Sequence, residues 1–216
     1  EDLRKTDKAA MECIDPDRRP QDYDNWVWIR DAEKNALVVG TRARILYQDA
    51  EGRTRIALKF NEMVRKGEIG PVMLGRDHHD VSGADSPYRE TANIKDGSNI
   101  CADMATLCFA GNAARGMSLC AIHNGGGVGI GKGINCGFGL VLDGQESTDE
   151  IIKSAMMWDV LGGLARRAWA RNPNAMEVGR EVNRKYEGQY HITLPYEAPQ
   201  DAVKAAVDAL FDKLGK

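Results

Sequence analysis

No apolar run in this 216-residue sequence approaches the about 20 residues that a membrane-spanning helix needs, and no charged-then-apolar segment of the secretory type opens it. Neither sign of charge dominates. The 29 Lys and Arg nearly balance 32 Asp and Glu, so the net charge of −3 provides no basic field to draw a nucleic acid or a membrane surface. The five cysteines, Cys13, Cys101, Cys108, Cys120 and Cys136, are odd in number and form no C-x-x-C pair, which argues against a disulfide framework or a structural zinc site. All but Cys13 lie in apolar or glycine-rich runs, as buried thiols do. Cys136 reads as a packed thiol, with a reactive one as the alternative. Internal repeats and low-complexity tracts are missing as well. These absences leave a cytosolic globular protein, 43% hydrophobic, with one substantial core and at most a small appendage.

What the sequence has in excess is glycine, and the excess is local. His123-Asn-Gly-Gly-Gly-Val-Gly-Ile-Gly-Lys-Gly-Ile-Asn-Cys-Gly-Phe-Gly139 packs glycines between two apolar segments. Each costs about 0.5–1 kcal/mol relative to alanine in an ordered chain, so the cluster implies positive φ or close approach to a ligand. Bare peptide N–H groups can converge there on a phosphate or carboxylate. The pattern is not a dinucleotide fingerprint, because the glycines run Gly127-x-Gly129-x-Gly131-x-Gly133 between two strands rather than from a strand into a helix. It also lacks the Gly-Lys-Ser/Thr ending of a Walker loop. A ligand-free, tight strand connection is the alternative reading.

Helical and strand patterns alternate along the chain. A charged segment over 1–14 ends at the turn cluster Asp15-Pro-Asp-Arg-Arg-Pro20, and residues 23–34 can form a helix presenting Trp26 and Ile29. A short strand is expected over 43–47. Thr54 then caps a helix with Ile56, Phe60, Met63 and Val64 on one face, stopping at Gly67. Strands are expected at 72–74, 117–122 and 138–142, with a helix from Ser98 through Leu107 and Phe109 between the first two. Ser147-x-x-Glu150 resembles a capping box for a helix to about Trp158. A further helix follows Gly163, carrying Leu164, Ala168 and Trp169 on one side and Arg166, Arg167 and Arg171 on the other. Asn172-Pro173 starts another. Pro199 opens the last, whose Val203, Val207, Leu210, Phe211 and Leu214 form an apolar stripe. The alternation predicts an α/β fold, an open, mostly parallel sheet with flanking helices.

A second polar constellation, Arg76-Asp-His-His-Asp80, follows directly on the strand that ends at Gly75. Ligands are held at the carboxyl ends of strands in open α/β sheets. Arg76 could hold an anionic group, while His78 and Asp77 are suited to proton transfer, since imidazole exchanges protons near neutral pH and a carboxylate can fix its tautomer. Asp80 completes the cluster. A metal-dependent hydrolase using His78, Asp80 and His123 is a competing reading, although adjacent histidines rarely both point inward and the ligand count is short. A satisfied polar loop is the structural alternative. Ser86-Pro-Tyr-Arg-Glu-Thr91 and Lys95-Asp-Gly-Ser98 continue polar for longer than an idle connection would.

Taken together, Gly75-Arg-Asp-His-His-Asp-Val-Ser-Gly-x-Asp-Ser-Pro-x-Arg-Glu-Thr91, Lys95-Asp-Gly-Ser98, His123-Asn-Gly-Gly-Gly-Val-Gly129 and Gly137-Phe-Gly-Leu-Val-Leu-Asp-Gly144 resemble the C-terminal part of the urocanase family, closest to its animal-like branch. The resemblance implies a hydro-lyase of histidine degradation that adds water to urocanate to give imidazolone propionate, with NAD⁺ as a bound electrophile and no net hydride transfer. It implies residues 1–22 as a helical lead-in cut from a longer chain and 23–216 as the C-terminal α/β domain. The expected partners are an upstream NAD-binding domain of the same full-length chain and a second copy in a cytoplasmic homodimer or other homo-oligomer. No nucleic acid, membrane or metal is expected. Gly127 matches the family's NAD-contacting glycine, with Gly125, Gly126, Gly129 and His123 beside it; Arg76, Asp77, His78 and Asp80 would face substrate. Two positions depart from bacterial members: Leu46 stands where they carry an active-site cysteine, and Asn124 where they carry a second histidine. An isolated piece acting only as a folded structural or oligomerisation module is the alternative from another class.

Overall fold

The computed structural model describes residues 1–35, 43–44, 46, 48–76, 102–123, 135–169, 171–196 and 198–215. Among them the chain runs through helices α1 (Asp2–Cys13), α2 (Pro20–Asp31) and α3 (Ala50–Arg65), strand β1 (Val72–Arg76), helix α4 (Ala102–Ala114) and strands β2 (Leu119–His123) and β3 (Asn135–Leu142). Helices α5 (Glu146–Trp169), α6 (Pro173–Lys185) and α7 (Gln200–Lys213) follow. No helix among the described residues is long and apolar enough to cross a membrane.

The sheet has the order β1-β3-β2, and both pairings are antiparallel. The expectation of a mostly parallel sheet is therefore corrected. Parallel neighbours need a crossover of about a dozen or more residues, usually a helix, and residues 124–134 between β2 and β3 are a glycine-rich stretch with no helical pattern. The β1–α4–β2 alternation does set two strands in the same direction, but β3 is inserted between them, giving a split β-α-β arrangement.

One face of the sheet is buried. Phe138, Leu140 and Leu142 of β3 meet Ala9 and Ala10 of α1, Ile56, Phe60 and Met63 of α3, and Ile152, Ala155 and Met156 of α5 in one apolar cluster. Residues 1–22 thus feed the main core through α1 and Ile14, and α2 spans the expected 22/23 boundary. Pro20 occupies the first turn of α2, where its missing N–H costs nothing. The strand expected over 43–47 does not form at Ala43, Arg44 or Leu46. Arg44 instead ion-pairs with Asp7 at 3.0 Å, and Leu46 packs half-buried on the core.

Several helix ends differ from the sequence pattern because a nearer polar group captures the free N–H groups. Asp49, not Thr54, caps α3 by accepting from the Gly52 N–H at 2.8 Å, and Thr54 lies inside the helix, donating to the Ala50 carbonyl. Helix α5 begins at Glu146, so Ser147 lies within it; Asp143 takes the Gln145 N–H and the Thr148 hydroxyl, and Glu150 pairs with Lys153. That helix continues through Gly162 and Gly163 as one element. Each glycine costs about 1 kcal/mol there, but burial of Met157 and Leu161 in a second cluster with Ala50 and Ile192 offsets it. Arg166, expected on the outer side, is buried, while α6 covers the Leu164 and Ala168 side of the end of α5 with Ala175 and Met176. Asn172 caps α6 as expected, accepting from the Ala175 N–H at 3.0 Å, and Pro199 precedes α7.

The turn between β3 and α5 is locked onto α3. Asn61, fully buried, donates to the Gln145 carbonyl at 2.9 Å and to Asp149 at 2.7 Å while its carbonyl accepts from Gly144 N–H at 2.8 Å. Gly144 has φ +84°, and a Cβ there would lie 2.8 Å from the Arg65 nitrogen, so only glycine fits.

Candidate active site

Arg76 is the last residue of β1 and His123 the last of β2. Because β3 lies between these strands and runs against both, their carboxyl ends leave the sheet on the same side, at the start of β3. Arg76 is opposite Phe138, which is opposite Cys120, and His123 is opposite Asn135. At about 3.3 Å per residue along a strand and 4.8 Å between strands, the Arg76 and His123 backbones are roughly 14 Å apart. A small organic ligand could span that distance.

The topology thus sets Arg76 and His123, the first residues of the two polar constellations read separately in the sequence, at one end of the sheet. Asp77, His78 and Asp80, which continue from β1, lie outside the described residues, as do Gly125, Gly126, Gly127 and Gly129, which continue from β2. Cys101 and the Ser86–Thr91 and Lys95–Ser98 segments lie outside them too.

Between α4 and α5 lies a polar cluster that the sequence pattern did not reveal. Asp159 of α5, 1% exposed, accepts from the Asn112 amide of α4 at 2.9 Å and from the Cys108 thiol at 3.5 Å. Trp158 donates its indole N–H to the Cys108 carbonyl at 3.3 Å, and the Arg115 guanidinium stacks 4.2 Å from the Trp158 ring. These bonds fix α4, the crossover helix, against α5, and so fix where β2 begins. In sequence the only trace of them was an Asn and an Asp at otherwise apolar helix positions.

Among the described residues the thiols Cys13, Cys108, Cys120 and Cys136 are buried or half-buried. Cys136 is fully buried on the core side of β3, as expected for a packed thiol. Burial pushes the Cys120 thiol up, and nearby Cys136 and Asp159 push it in the same direction; burial likewise raises Cys13. No group of three or more His, Cys, Asp or Glu placed to hold a metal occurs among the described residues. A groove of about 650 Å³ does lie elsewhere, between α3, α5 and α6, but none of its lining comes from the sheet. Its cations are already engaged: Arg18 with Asp49, Arg19 with Glu181 at 2.6 Å, and Lys185 with Glu51 at 2.6 Å.

Comparison with known proteins identifies the fold's relatives. The urocanase C-terminal domain family matches residues 1–181. The chain belongs to that family. It is 48% identical over 198 residues to mouse urocanate hydratase, covering 91% of this chain and 29% of the mouse protein. It is 46% identical over 213 residues to a probable urocanate hydratase of Caenorhabditis elegans (94% and 32%) and 44% identical over 212 residues to human urocanate hydratase (94% and 31%). The chain therefore spans about a third of the length of the curated relatives it matches. The Leu46 side chain packs half-buried on the main core.

Proposed function

We propose that this chain is the C-terminal part of a cytoplasmic, homo-oligomeric urocanate hydratase that adds water to urocanate to give imidazolone propionate. The observation that carries the proposal is the convergence of the β1 and β2 carboxyl ends, from which the Arg76-Asp-His-His-Asp80 and His123-Asn-Gly-Gly-Gly-Val-Gly129 segments both depart. Two segments of complementary chemistry leaving one sheet end suit a single site for substrate and cofactor.

In this reading Gly125, Gly126, Gly127 and Gly129, with His123, approach NAD, whose nicotinamide ring supplies the electrophilic character that draws electron density from the substrate. Arg76 holds the urocanate carboxylate. Asp77 fixes the orientation of His78, and His78 moves the proton between water and substrate, with Asp80 completing the polar lining. The main cradle for the cofactor belongs to an upstream NAD-binding domain of the full-length chain, so the chain alone turns over little or no urocanate. Well-ordered positioning of reactants is worth about 7–11 kcal/mol of barrier.

The test is Gly127→Val in the full-length enzyme, read by NAD content, by loss of urocanate ultraviolet absorbance and by melting temperature. A Cβ with two methyls should remove NAD and activity together while the apo form melts nearly unchanged. Full NAD occupancy with a large fall in melting temperature would instead make the glycine segment a structural connection.

A further inference from the structure

The sheet has two faces, and the one turned away from the core is as apolar as the one turned toward it. Register places Met73 opposite Val141, and Gly139 opposite both Gly75 and Leu119. Met73 is 57%, Leu119 51% and Val141 41% exposed. Gly139 is buried beneath Met73, since a Cβ there would lie 2.4 Å from the Met73 Cε. No position on this face from Met73 across to Ala121 is charged.

Antiparallel sheets that face water on one side alternate apolar with polar residues, whereas sheets buried on both sides are apolar throughout. β1 and β3 follow the second pattern, and among the described residues α1, α3 and α5 pack on one side of them. An exposed, contiguous apolar patch of this kind marks a contact surface. Helix α7 does not cover it, since none of its residues is buried.

We propose that this outer face is the docking surface for the rest of a urocanate hydratase polypeptide, the roughly two-thirds by which the curated relatives exceed this chain. The inference rests on the function proposed above. The size of that part is the argument for this occupant: Met73, Leu119 and Val141 form one apolar patch toward the starts of β1 and β2, within a strand's length of the end where Arg76 and His123 lie, so a domain large enough to cover the patch would extend toward both. The partner surface is an apolar helix or strand face, able to approach closely over the exposed Gly75.

The experiment uses the full-length enzyme and its native methionines. Under dilute peroxide, Met73 should oxidise at least tenfold more slowly than N-acetylmethionine amide, in step with the core residues Met63 and Met156, by mass spectrometry of tryptic peptides. Oxidation at the free rate would overturn the proposal. Val141→Glu should expose Met73 to oxidation while light scattering shows the wild-type oligomeric state; dissociation into smaller species would instead assign the face to a second copy and overturn the proposal. If Val141→Glu does not fold, the wild-type rate still decides. Urocanate turnover and NAD content of the wild-type enzyme are measured separately, so an enzyme with protected Met73 but no turnover would defeat the functional reading and leave the docking surface standing.

Discussion

Helices α3 and α7 are both amphipathic in sequence, yet α3 buries Ile56, Phe60 and Met63 in the main core, whereas α7 leaves Val203, Val207, Leu210, Phe211 and Leu214 between 41% and 61% exposed. The two differ less in pattern than in fastening. Asp49 caps the start of α3 and pairs with Arg18, while at its far end Asn61 and Arg65 grip the turn at Gly144 and Gln145. Among the described residues α7 has only local bonds, such as Lys204 to Asp208. Periodicity specifies that a helix has an apolar face; it does not specify what meets that face.

Substitutions can break or sharpen this contrast. The largest effect is expected from Phe60→Ala, which should cost about 3–5 kcal/mol in urea unfolding through lost contacts and a cavity between α3 and the sheet. A cost below about 1 kcal/mol would show that the α3 face is as loosely held as that of α7. Gly144→Ala comes next, at roughly 1–3 kcal/mol, because a non-glycine residue at positive φ is strained and its Cβ would press on the α3 backbone; an unchanged unfolding midpoint would deny that this turn clamps the helix.

Asp49→Asn keeps a cap acceptor but removes the charge paired with Arg18, so it should cost about 0.5–1 kcal/mol, and it carries a pH signature. Burial alone would raise the Asp49 carboxyl, but the Gly52 N–H and the Arg18 guanidinium outweigh it and hold it below the usual carboxylate range. Its folded value is therefore depressed relative to the unfolded chain. The stabilisation is present above the unfolded value and is lost as pH falls through the folded one. Unfolding of wild type and variant, compared from neutral pH down into the acid range, should converge at the acid end; a constant gap would rule out this ionic contribution. The smallest effect is expected for Leu210→Ala, within about 0.5 kcal/mol as for ordinary surface positions. A loss above about 1 kcal/mol would mean that the α7 stripe is covered in solution.

The parts of the site differ in how much the sequence revealed. Arg76 and His123 were legible as candidates because charged, imidazole and glycine residues crowd unusually after strand patterns. Their meeting at one sheet end was not legible, since it depends on β3 inserting between β1 and β2. Asp159 and Asn112 were invisible for a related reason: a polar residue on an apolar helix gains its meaning only when another helix supplies its partner, here across the α4–α5 contact.

By itself the sequence determined where helices α3 and α6 and the three described strands lie, that Asn172 and Pro199 mark helix starts, and which family the chain resembles. These features depend on residues close in the chain, on side-chain period, on proline's fixed φ and on motif order. Only the tertiary structure decided that the strands pair antiparallel, that Asp49 rather than Thr54 caps α3, that α5 runs unbroken through Gly162 and Gly163, and that Arg166 is buried while the α7 stripe is not. Each of those outcomes is a competition between groups distant in sequence. Local propensities of about 1 kcal/mol or less are overridden once burial against another element contributes more.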